Sequence, residues 1–281
     1  MLRRIFYSDN GTLTDLSINL QNYHAGTNAF TLVAAQDCLY IGARLPFNHL
    51  YIKMDGDNVN AESSVMSASY WDGGNWRSVA ELIDETASSG ATLAQSGFIT
   101  WITAKNYFWA REDTNYSGNS ITGLTDLEIY DLYWLKLSFS ADLTADTAIA
   151  WLGQKFSDDN DLGSEYSDLV RDGLISAFES GKTDWEEQHV RAAEIIVNDL
   201  TSKNIILEKE QILERFDFRL CAVSKVAELI YIGLGQNHVE DAAKAKKEYE
   251  KRLNSAMPRI DQNKNAREDI GERFSQGRLI R

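Results

Sequence analysis

The sequence predicts an α+β protein in two domains, an N-terminal all-β sandwich followed by a helical bundle with an extended C-terminal arm. Three observations carry that prediction. Up to about residue 157, short alternating or aromatic-rich runs stand between clusters of Gly, Asn, Asp and Ser. From Leu162 onward, apolar residues recur at spacings of three and four. After Pro258 the chain is polar and rich in arginine. The expected boundaries are therefore 1–157 for the sandwich, 158–257 for the bundle and 258–281 for the arm.

The strand candidates of the first domain are Phe30–Val33, Cys38–Gly42, His49–Lys53, Ser67–Trp71, Gly97–Ile102 and Tyr133–Phe139. Tyr70-Trp71-Asp72-Gly73-Gly74-Asn75-Trp76 is the clearest hairpin, because its glycines accept the positive φ of a tight turn and its flanking aromatics can pair across the strands. Six of the seven tryptophans lie in this half. Most such rings fill the core and rim of a sandwich. The functional alternative makes Trp71, Trp76 and Trp109 a ligand-stacking set.

In the second domain, Leu162–Phe178 and Val190–Leu200 read as amphipathic helices separated at Ser180-Gly181-Lys182, with Thr183 and Glu186 as a capping box for the second. Glu208–Phe216 predicts a shorter helix, and Phe218–Leu234, apolar on most sides, the central buried one, ended by Gly233 and Gly235. Val239–Asn254 is a highly charged surface helix. Beyond it the balance changes sign: residues 251–281 hold eight basic and four acidic side chains, whereas the whole chain of 281 residues carries −14. A basic arm on an acidic body suits an acidic neighbour, including another copy of the same chain.

That acidic balance argues against coating of nucleic acid and against sequence-specific nucleic-acid binding, which need clustered cations. Nothing approaches the run of about 20 apolar residues a membrane helix needs, and the polar Ser8, Asp9 and Asn10 argue against a signal peptide. Cys38 and Cys221 suggest neither a disulfide framework nor a thiolate metal site, so a reducing compartment is expected. The four histidines are scattered and no Gly-x-Ser-x-Gly elbow occurs. Gly181-Lys182-Thr183 lacks the earlier glycine of a phosphate loop, Ser176 standing in its place. Asp261, Asn263, Asn265, Asp269 and Glu272 have the spacing of a Ca²⁺ loop, but Ala266 replaces its glycine and Glu268 its aliphatic residue, so it reads as degenerate. No catalytic residue, metal or cofactor is expected.

Two stretches carry resemblances. Tyr70–Val79, Leu82-Ile-Asp-Glu-Thr86, Leu93–Trp101 and Tyr107-Phe-Trp109 resemble, in that order, a β-sandwich module of tailed-bacteriophage structural proteins, with its "dG.W" hairpin, "DgT" turn and "QsG.itW" strand. Residues 162–281 are similar in layout to phage head-to-tail connector (adaptor) proteins. That likeness implies a virion structural protein, made in the host cytoplasm, that forms a ring of about a dozen copies below the portal at the neck. The partners it implies are further copies of the chain, the portal protein, and tail or neck proteins. Arg259, Arg267, Arg273, Phe274, Arg278, Leu279, Ile280 and Arg281 would form the arm that binds the portal or a neighbouring subunit. The alternative is a tail, baseplate or host-recognition protein whose sandwich binds carbohydrate.

Overall fold

A computed structural model of the chain describes residues 3–24, 28–29, 32, 36–73, 75–102, 111–112, 132–171, 173–213 and 215–256. Trp109, the arm and the Asp261–Glu272 loop lie outside these residues. The chain forms two compact units, all-β and then helical, which divide at Gly153/Gln154 rather than after Ser157.

The first unit contains β1 (Arg4–Asp9), β2 (Thr12–Asp15), α1 (Ser17–Gln21), β3 (Asn28–Ala29), β4 (Cys38–Ala43), β5 (His49–Met54), β6 (Met66–Trp71), β7 (Trp76–Ser78), β8 (Ala80–Asp84), β9 (Gly97–Ile102), β10 (Arg111–Glu112), β11 (Leu132–Phe139) and β12 (Ala148–Gly153). One antiparallel sheet runs β2-β1-β4-β11-β6-β7, with β10 also on β11, and the other runs β3-β12-β5-β9-β8. Ile5, Leu39, Ile41, Leu135 and Leu137 from the first share one core with Leu50, Ile52, Ile99 and Leu152 from the second. The predicted sandwich is present because alternate residues of each strand turn inward.

Residues of the hairpin, turn and strand motifs between Tyr70 and Trp101 serve this packing. Trp71 and Trp76 face each other across the β6–β7 hairpin, and Gly73 takes φ +96° in its turn. Asp84 accepts hydrogen bonds from the backbone N–H and hydroxyl of Thr86 and from the hydroxyl of Thr92. Both threonines are buried, so this carboxylate holds the 84–92 loop closed. A Cβ at Gly97 would stand 2.5 Å from the Glu85 carbonyl, so only glycine allows that approach.

The second unit holds α2 (Asp159–Glu165), a 3₁₀ turn at Ser167–Val170, α3 (Leu174–Phe178), α4 (Glu186–Ser202), α5 (Arg219–Leu234) and α6 (Val239–Ser255). The continuous helix expected from Leu162 to Phe178 is instead broken in three. Trp185 Nε1 donates to the Leu169 carbonyl at 2.8 Å, occupying an acceptor that a continuing helix would use, and Gly173 adopts φ +85°. The predicted Glu208–Phe216 helix is two 3₁₀ turns, Lys209–Gln211 and Arg215–Phe218. Gln211 Oε1 accepts from the Leu207 and Glu208 N–H groups and closes the first turn locally.

The central helix is α5, with Cys221, Ala222, Val223, Val226, Ala227 and Ile230 buried. Gly233 lies within it, its open side filled by the Phe178 ring, and Gly235 ends it at φ +91°. Against it α6 buries Ala242, Ala245, Tyr249 and Leu253, a stripe of one helical face.

Candidate functional site

The densest polar chemistry among the described residues lies where the chain enters the helical unit. Residues 155–158 lead through a bend into α2, and Lys155, Ser157 and Asp159 all reach the start of α4 while Phe156 meets the Phe218 ring at 5.4 Å. All three polar residues bond the start of α4. Lys155 Nζ donates to Glu186 Oε2 at 2.8 Å and to Oε1 at 3.1 Å. Ser157 Oγ and His189 Nδ1 are 2.8 Å apart, and His189 Nε2 lies 3.1 Å from Asp159 Oδ1. Asp159 Oδ2 accepts the Trp185 N–H at 3.2 Å.

The capping box predicted from Thr183 and Glu186 does not form. The residue at the N-cap is Trp185, with no side-chain cap. Instead Asp159, from another helix, and Asp184, whose Oδ1 accepts the Glu186 N–H at 3.0 Å, satisfy these early donors. Asp158 caps α2 itself, through a reciprocal pair with Asp161.

Burial pushes the Asp159 carboxyl up, but the hydrogen bond and charge of His189, the Trp185 N–H and Lys155 outweigh it and leave the group below the ordinary carboxylate range. An ionised Asp159 only accepts, so His189 Nε2 donates to it, and His189 Nδ1 shares the second hydrogen bond with the Ser157 hydroxyl. Ser, His and Asp are thus joined in the sequence of contacts a hydrolase uses. The nitrogens are exchanged, since a nucleophilic serine is activated through Nε2 with the carboxylate on Nδ1. Ser157 is 0 % and His189 1 % exposed, so no substrate reaches Oγ. The trio is a structural tie between α2 and α4.

A second network joins α4, α5 and α6. Lys225 Nζ donates to Glu228 Oε2 at 2.6 Å and lies 4.2 Å from the centre of the Tyr249 ring, while the Tyr249 hydroxyl donates to Asp199. Burial, reinforced by Asp199, pushes that hydroxyl up.

On the outer face of the first sheet, Phe6, Trp71 and Trp134 are buried beside half-buried Leu13, Tyr40, Trp76 and Leu132. Trp76 lies 5.6 Å from the rings of both Tyr40 and Trp71, and Lys136 Nζ sits 5.2 Å from its centre. Trp71 is 6 % exposed, so it supports this platform from beneath while Trp76 forms its accessible edge. Of the predicted stacking set, Trp71 is thus a supporting ring and Trp76 an accessible one, while Trp109 lies outside the described residues.

Among the described residues no group of three or more His, Cys, Asp or Glu could hold a metal ion, and no helix is long and apolar enough to cross a membrane. No family model, curated protein or solved structure matches this chain. Sequence reasoning treated the histidines as scattered and missed the node around His189. Its one visible signal is the polar stretch Lys155-Phe156-Ser157-Asp158-Asp159, interrupted only by Phe156.

Proposed function

We propose that the chain is a structural assembly protein of virus particles, a connector of the head-to-tail type whose helical unit packs into a ring beneath the portal. The observation that carries this reading is apolar surface on the helical unit: Ile205, Leu207, Phe216 and Leu220 are all exposed. Polar constellations that elsewhere mark catalysis are here turned inward as ties between helices. Large exposed apolar side chains within one short stretch suit a face that is covered in an assembly. In a closed ring each subunit uses two different faces, and the opposite charges of arm and body suit such a head-to-tail arrangement. In this role the arm, from Arg259 to Arg281, contacts a neighbouring subunit or the portal.

Counting this chain against the major capsid protein in purified particles tests the proposal. About twelve copies per particle, as one closed ring requires, supports it. Absence from the particle refutes it, and a clearly different multiple moves the chain to the tail or baseplate. One observation favours a second reading: the accessible Trp76, flanked by Tyr40 and Lys136, suits stacking against a sugar ring. Glycan-array binding that is lost on Trp76→Ala would make the sandwich a recognition module.

A further inference from the structure

We propose that the outer face of the first sheet selects acidic saccharides, with one sugar ring on Trp76 and its carboxylate on Lys136. That choice of ligand rests on the carbohydrate reading of the sandwich. Strand register builds the site. Lys136 stands opposite Tyr40 of β4 and opposite Ser69 of β6, and Ser69 stands opposite Ser78 of β7. Residues directly opposed in a sheet point to the same side. Leu135 and Leu137, on either side of Lys136, enter the core, so this row faces outward. The next outward row is aromatic, with Trp71 and Trp76 opposite each other and Trp134 in the same cluster.

The Trp76 ring reaches from the aromatic row over the polar one. β4 and β7 are three places apart in the sheet, about 14 Å, yet the Tyr40 and Trp76 rings are 5.6 Å apart. The two side chains therefore lean toward each other across β11 and β6. Lys136 Nζ comes to 5.2 Å from the Trp76 ring centre. The face thus combines an apolar ledge, serine hydroxyls and one ammonium. An acidic sugar presents the complement: C–H faces, hydroxyls and a carboxylate.

Charge separates this ligand from a neutral sugar and from nucleic acid. On the same sheet Arg4 pairs with Asp15 and Arg77 with Asp72. Half-buried Lys136 meets the Trp76 ring and, among the described residues, no carboxylate within ion-pair distance. Its charge reaches the Cys38 thiol, which burial keeps protonated and uncharged. One uncompensated ammonium suits one carboxylate. A nucleic-acid backbone needs several clustered cations, and a body of net charge −14 repels it.

The test titrates the full chain by calorimetry at low ionic strength. The probes are tetragalacturonate, tetramannuronate and tetraglucuronate, each beside its carboxyl-reduced neutral counterpart, and oligothymidylate. At least one uronate is expected to bind about tenfold tighter than its counterpart, with the preference shrinking as salt rises. Lys136→Met removes the preference and leaves the neutral affinity unchanged, whereas Lys136→Arg keeps it. Trp76→Ala abolishes binding of charged and neutral forms alike, and Trp76→Tyr, which keeps a stacking ring, restores it. Equal affinity for charged and neutral tetramers overturns the proposal and leaves the carbohydrate reading standing. No uronate binding, a preference that survives Lys136→Met, or binding indifferent to Trp76→Ala also overturns it. Tighter binding of oligothymidylate overturns it too, by making the face a platform for single strands. The glycan array judges the carbohydrate reading separately.

Discussion

Gly42 lies beneath the indole of Trp134, where a Cβ would stand 2.7 Å from two atoms of the ring. The two residues face each other across the β4–β11 pairing, and Trp134 is 1 % exposed, so the ring has no room to retreat. The close approach lets a large aromatic lie flat on a neighbouring strand and build the outer cluster with Phe6 and Trp71.

Gly42→Ala is therefore expected to destabilise the chain by about 2–3 kcal/mol through overpacking. Urea denaturation followed by tryptophan fluorescence measures it. A wild-type midpoint would show that Trp134 moves freely.

The buried pair Lys155–Glu186 has a Lys155 side chain only 2 % exposed. Lys155→Met alone takes from Glu186 its buried cation, and Glu186→Leu alone takes from Lys155 the carboxylate it donates to, so each single change costs up to about 3–5 kcal/mol. The double variant should recover most of that loss. A double-mutant cycle by calorimetry checks this, and additive losses would contradict the coupling.

The His189–Asp159 tie has a pH signature. Because the folded Asp159 carboxyl lies below its unfolded value, its contribution is fully present above about pH 4 and fades as pH falls through the folded pKa. Asp159→Asn should thus lower stability at neutral pH and flatten the acid limb of the stability curve. His189→Ala, which leaves Ser157 without its partner, should cost about 2–3 kcal/mol. Equal acid limbs in wild type and Asp159→Asn would rule out this linkage.

Both cysteines are buried and reduced. Burial raises each thiol, Cys221 to about 12 and Cys38 likewise upward. At pH 8 the native chain should not react with a thiol reagent over the time in which denatured protein reacts completely. Fast modification of the native form would show that one of these sites opens.

How much of this was legible beforehand varies with the range of the interaction. The change of period near residue 157, the Trp71–Trp76 hairpin and the α5 and α6 segments were readable because hydrophobic period and glycine turns are local signals. The first hairpin, β1–β2, was not, since its polar residues resemble loop until the sheet pairs them.

What the sequence determined by itself is the order of the two units, the strands β4, β5, β6, β9 and β11, and the charge contrast between body and arm. These follow from neighbours along the chain. Tertiary structure alone decided that the Leu162–Phe178 segment breaks, since the bond that competes for the Leu169 carbonyl comes from Trp185. It likewise decided that Ser157, Asp159 and His189 meet, because residues about 30 apart share hydrogen bonds only once α2 and α4 pack. Side-chain pairing across helices leaves no periodic trace in the chain, and so it becomes visible only when the helices are in place.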